Sequence, residues 1–233
     1  MLRSLKLIKE NIEIIRRKIE ESVKVSGRKL KEVRLMGVTK YHPLSDMCEA
    51  APFIDLVGEN KVQEAETKRN DPAAPRNVPW HMIGHMQRNK IKKAVEIFDL
   101  IETIDNIEAA DILQNALSKK GVSSFPIFIE VNVTGEESKN GIQSQYAETL
   151  LCHILKNCPL VTPTGLMTMA REVADESELH RTFETTRILR DTLEKNTGAR
   201  LPELSMGMSG DFEIAIEEGS TIVRVGTSIF GSR

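Results

Sequence analysis

What constrains this chain most is a rhythm. Eight short apolar runs, at residues 33–38, 53–57, 80–84, 100–104, 126–133, 161–169, 203–208 and 221–225, alternate with helix-like segments. In those segments, at 43–51, 61–69, 88–98, 107–120, 144–157, 177–196 and 212–218, apolar residues tend to recur at three- and four-residue steps. Examples are Ile91, Val95 and Phe98, then Tyr146, Leu150, Leu151 and Ile154, then Leu179, Phe183, Ile188, Leu189 and Leu193. Gly121, Gly198 and Gly219 follow three of the segments, where a helix has to stop. Strands separated by helices are parallel strands joined by crossovers. Eight of them favour a closed (β/α)8 TIM barrel, an α/β fold, over an open sheet. A parallel strand covered on both faces should be almost wholly apolar. Glu102, Glu130, Asn132 and Arg224 break that rule inside their runs, and are therefore expected to point into the barrel.

Ahead of the barrel, Leu5, Ile8, Ile12, Ile15, Ile19 and Val23 mark an amphipathic helix that ends near Gly27. Residues 1–27 are expected to pack as an extra N-terminal helix on the barrel, making residues 1–233 a single domain without a linker. The formal net charge of -2 offers no bulk attraction to nucleic acid or membrane. No stretch is apolar enough to span a bilayer, and the N-terminus is too charged for a secretory signal. Three cysteines without CxxC spacing suit a reducing compartment, so the expected location is cytoplasmic. Cys152, His153 and Cys158 are expected to be helix-packing residues. His81 and His85 would stand roughly 13 Å apart on an extended strand, too far to share an ion. No metal is expected.

Three features carry chemistry. In LMGVTKYHP, residues 35–43, a buried strand ends on a lone amine, Lys40. It is either a solvated loop lysine or a nucleophile in a partly dry pocket, at the strand end where barrels place their active groups. Runs seven and eight lead into SMGMSG (205–210) and RVGTS (224–228). Barrels often bind phosphate with these two loops, and small residues admit phosphate to backbone N–H groups. Arg224 is either half of a structural ion pair with Glu130 or Glu102, or a donor facing a ligand. An aldehyde-reactive amine, a phosphate cradle and a permanently protonated donor opposite a ring nitrogen together describe pyridoxal 5′-phosphate (PLP).

The segments GVTK (37–40), GENKVQEAETK (58–68), WHMIGHMQRNK (80–90), NVTGEESKNG (132–141), GLMTM (165–169), LSMGMSGDFEIAIEEGST (204–221) and VRVGTSIFG (223–231) extend the reading. The chain resembles the YggS/PROSC family of PLP homeostasis proteins from about residue 33 onward. The resemblance implies a barrel like the N-terminal domain of alanine racemase, with PLP as cofactor. It implies Lys40 as the Schiff-base lysine and Asn60 in the cofactor pocket. Ser205, Met206, Ser209, Gly226 and Thr227 would hold phosphate and ring, and Arg224 would face the pyridine nitrogen. Lys139 is a second lysine that could receive or relay PLP. Tyr41 and Lys61 depart from the family pattern.

An arginine at the ring nitrogen weakens the ring as an electron sink. The expected function is thus a cytoplasmic PLP carrier or buffer without substantial turnover, a monomer that passes PLP to apo-enzymes. The alternatives are an amino-acid racemase using Tyr41 or a histidine as second base, and a PLP-free barrel binding another phosphorylated small molecule.

Overall fold

A computed structural model describes residues 2–136, 139–171 and 173–231, the side chains of residues 2–6 aside. Among the described residues there are nine parallel strands: β1 (Arg34–Val38), β2 (Leu56–Glu59), β3 (Trp80–Met82), β4 (Leu100–Ile104), β5 (Phe125–Asn132), β6 (Ile142–Gln143), β7 (Val161–Met167), β8 (Glu203–Ser205) and β9 (Ile222–Val225). Their hydrogen-bonded order is β4-β3-β2-β1-β9-β8-β7-β5, and β4 also pairs with β5. That last pairing closes an eight-stranded barrel. The ninth strand, β6, was not expected; it adds two residues beside Val131 and Asn132 of β5.

The helices are α1 (Leu2–Val25), α2 (Leu44–Ala50), α3 (Val62–Asn70), α4 (Ile91–Ile97), α5 (Ile107–Lys120), α6 (Ser144–Asn157), α7 (Glu176–Thr197), α8 (Phe212–Glu217) and α9 (Thr227–Phe230). Local chemistry sets several boundaries. Asn106 caps α5 by accepting the Ala109 N–H, and Gly121 leaves it at φ 68°. Asp175 and Gly198 do the same for α7. The expected second strand at 53–57 starts late. Residues Ala51–Phe53 form a 3-10 turn around Pro52, and the Asp55 carboxylate accepts the Leu35 N–H at 2.7 Å. α9 is a short helix where a loop was expected.

Two apolar layers hold the barrel. The larger lies between strands and helices and takes Ile8, Ile12, Ile15, Ile19 and Val23 from α1. Burying each of these contributes about 1.5–3 kcal/mol before ordering entropy is counted. α1 packs on α2, α8 and α9, and Asn11 Nδ2 donates to the Ile229 carbonyl at 2.9 Å. The Leu5 side chain lies outside the described residues. The smaller layer fills the barrel with Met36, Val38, Leu56, Leu100, Phe128, Met167 and Ile222. Two residues read as core-facing, Tyr146 and Ile188, are exposed. Among the described residues no helix is long and apolar enough to cross a membrane.

Candidate functional site

At the C-terminal end of β1 the strand stops at Val38, and Thr39 leads into a tight turn closed by His42 N–H on the Thr39 carbonyl at 3.1 Å. Lys40 and Tyr41 are its two central residues. Tyr41 has φ 64°, the one non-glycine residue with positive φ among the described residues. A bulky side chain there is strained, and such strain clusters at functional sites.

Lys40 lines a cavity of about 230 Å³ at the barrel mouth. Ser209 and Thr227 bring hydroxyls to it, and Gly210 and Gly226 bring bare backbone. Val38, Ile83, Met169 and Met208 form its apolar walls, and Arg224 stands at its base. A Cβ at Gly226 would come within 3.3 Å of the Val38 carbonyl oxygen, whereas at Gly210 it would stand in open space.

Beneath the cavity runs a buried polar network. Arg224 Nη1 donates to Ser205 Oγ and Nη2 to the Thr168 carbonyl, each at 2.8 Å. Ser205 Oγ donates in turn to Glu102 Oε2 at 2.5 Å, and His81 Nδ1 to Glu102 Oε1 at 2.7 Å. Burial pulls the Arg224 guanidinium down, while Glu102, Asp211 and Glu130 oppose the shift. The Glu130 carboxyl is pushed up to about 7 by burial first and by Asp105 second; its Oε2 is buried without a hydrogen-bond partner. Arg224 thus reaches Glu102 through Ser205 rather than by a direct bond. It is held by a hydroxyl and a carbonyl in the field of buried carboxylates, and it lines the cavity.

A second network lies outside the barrel wall, under α3. Lys68 is only 7% exposed. Its Nζ donates to Glu59 Oε1 at 2.6 Å, and to the Thr39 carbonyl and Glu64 Oε1 at 2.8 Å each. Burial raises the Glu59 carboxyl and Lys68 lowers it.

Of the residues expected at the site, Lys40, Ser209, Arg224, Gly226 and Thr227 converge on this cavity. Ser205 does not line it; its hydroxyl is consumed below, between Arg224 and Glu102. Met206 is buried in the outer apolar layer. Asn60 lines a neighbouring cavity of about 190 Å³ with Lys61, His85 and Lys90. Lys139 reaches the Met169 carbonyl at 3.5 Å and Glu136 at 3.7 Å, behind one cavity wall, and burial lowers its ammonium. The Tyr41 side chain is exposed, with Lys61 Nζ 4.8 Å from its ring centre.

Asp111, His153 and Cys158 meet within 4.8 Å where α5 packs on α6. His153 Nε2 and Cys158 Sγ each hydrogen-bond to Asp111 Oδ1, at 2.7 and 3.5 Å. Burial and Asp111 push the Cys158 thiol up to about 11, so its sulfur keeps a proton and donates to Asp111.

Residues 4–233 match the family of the alanine racemase N-terminal domain. The chain is 36% identical over 225 residues to the pyridoxal phosphate homeostasis protein of Aquifex aeolicus, covering 96% of this chain and 97% of that one. It is 39% identical over 235 residues to that of Vibrio alginolyticus, covering 97% of each. The solved structure of PipY from Synechococcus elongatus with PLP bound superposes with a TM-score of 0.80 at 31% identity, covering 92% of this chain and all of that one. Alanine racemase of Clostridium difficile superposes at 0.75 with 14% identity, covering 98% of this chain and 57% of that enzyme, a likeness of fold alone.

Proposed function

Since the chain belongs to the pyridoxal phosphate homeostasis proteins, within the alanine racemase N-terminal-domain family, we propose that it binds PLP on Lys40 and serves as a PLP carrier or buffer. The observation that carries this reading is the convergence of one lysine amine, two hydroxyls, two glycines and one buried arginine on a single small cavity. Among the described residues that line it, none is acidic. The donor set therefore suits a phosphorylated aldehyde. When bound, PLP supplies an aldehyde and an electron-accepting ring.

Lys40 would hold the group by its amine Nζ, at the aldehyde carbon. Ser209 and Thr227 donate hydroxyl protons to phosphate oxygens, and Gly210 and Gly226 let the backbone approach them. Arg224 carries no acceptor, so it presents only N–H groups to a ring nitrogen and keeps that nitrogen unprotonated. Ile83, Met169 and Met208 shield the linkage from water. Asn60, in the neighbouring cavity, and Lys139, bonded to the Met169 carbonyl, would contact PLP on its way in or out. Ser205 supports from below by holding Arg224, and Met206 packs behind the barrel wall.

A racemase needs a second base at the substrate, and Tyr41 turns its ring to Lys61 rather than into the cavity. A carrier in the cytoplasm that yields PLP to apo-enzymes needs no such base. Incubation with PLP should give a visible absorbance band that borohydride traps on Lys40, located by peptide mapping. Lys40→Ala should abolish the band while thermal unfolding stays within a few degrees of wild type. An adduct on another lysine, or none, overturns the assignment.

A further inference from the structure

The network under α3 ties the main chain on both sides of Lys40. On one side the Thr39 carbonyl accepts from Lys68 Nζ at 2.8 Å. On the other the Tyr41 N–H donates to Glu64 Oε1 at 2.7 Å. The same Glu64 oxygen accepts from Lys68, and so does Glu59 Oε1, which also receives the Thr39 hydroxyl at 2.6 Å. One buried ammonium thus gathers a carbonyl and two carboxylates, and one of those carboxylates grips the amide after Lys40. These are charge-assisted hydrogen bonds, the strong kind.

The grip has a task. Tyr41 sits at φ 64°, where a tyrosine does not rest by preference. Without Glu64 on its amide, relaxation of Tyr41 to negative φ would re-aim the turn, and Lys40 with it. We propose that Glu64, backed by Lys68 and Glu59, is a positioning residue that holds the Lys40 amine toward the cavity; this rests on the reading of Lys40 as the PLP-bearing lysine. Glu64 reaches the turn at the Tyr41 amide. It acts through the backbone.

Glu64 is the residue to vary, because removing Lys68 would strand the buried Glu59 and threaten the fold. In the ligand-free protein, Glu64→Ala should speed hydrogen exchange at the Tyr41 and His42 amides about tenfold, as loss of one charged hydrogen bond does, and leave β5 and α5 unchanged. The rate of the borohydride-trappable conjugate on Lys40 should fall by a similar factor. Glu64→Gln keeps an oxygen for the Tyr41 N–H and should restore much of both. Unchanged exchange and unchanged conjugation in Glu64→Ala, in a background where wild type loads normally, overturns the positioning role and leaves the PLP reading standing. A wild type that takes up no PLP overturns that reading and the role assigned here with it.

Discussion

The lower and upper halves of the barrel interior are made of opposite materials. Climbing β5, the inward residue is Phe128 and then Glu130; on β9 it is Ile222 and then Arg224; on β4 it is Leu100 and then Glu102. The first of each pair joins the inner apolar cluster. The second is equally buried and ionisable, at 2%, 4% and 0% exposure. Burial of apolar surface stabilises the lower half. The upper half gains little that way, since a buried ion pair rarely outdoes apolar packing of the same volume. What it does is hold Arg224 by two of its nitrogens, so that the guanidinium meets the cavity in one orientation. The lower layer keeps the barrel folded, and the upper layer keeps the mouth charged in a dry setting.

The sharpest way to break that division is Phe128→Ala. It should cost about 3–5 kcal/mol in urea unfolding, while PLP affinity per folded molecule stays near wild type. A cost below about 1 kcal/mol would deny the lower half its role.

Next comes Glu130. The folded protein holds this proton up to about 7, whereas the unfolded chain releases it near 4.5. The folded state therefore binds more protons between those values, and its stability falls as pH rises through the window. A shift of that size corresponds to roughly 3 kcal/mol of such loss. Glu130→Gln should flatten the dependence of the unfolding midpoint on pH between about 4.5 and 7. A slope that survives in the variant would place the titration elsewhere.

The smallest stability effect belongs to the mouth. Ser209→Ala should change unfolding by no more than about 0.5 kcal/mol, yet weaken PLP roughly fivefold through one lost hydrogen bond. Equal losses in both would merge the two halves.

How far these features could be read without coordinates depends on how local their causes are. α5 spans Ile107–Lys120 as expected, because its cap Asn106 and its stop Gly121 are its own neighbours. Lys40 was legible because a lone cation at the tip of an apolar run stands out. Run 203–208 carried Ser205 into a strand, but the partners of its hydroxyl were not legible. β8 runs through Ser205 and delivers its hydroxyl inward, to partners more than 100 and exactly 19 positions away in sequence. The Lys68 cluster was invisible for a related reason. Thr39, Glu59, Glu64 and Lys68 come from three segments, and only the pairing of β1 with β2 and the phase of α3 bring them together. The acidic–basic step from Glu64 to Lys68 was the one local hint.

β1 is hydrogen-bonded to β9, so Lys40 meets its neighbours Gly226 and Thr227 across the seam where the first and last barrel strands pair. The ligand pocket therefore exists only once that seam is paired and the ring is closed. A small molecule that bridges that seam would act as a latch on ring closure, and its binding free energy would be felt by the entire barrel at once.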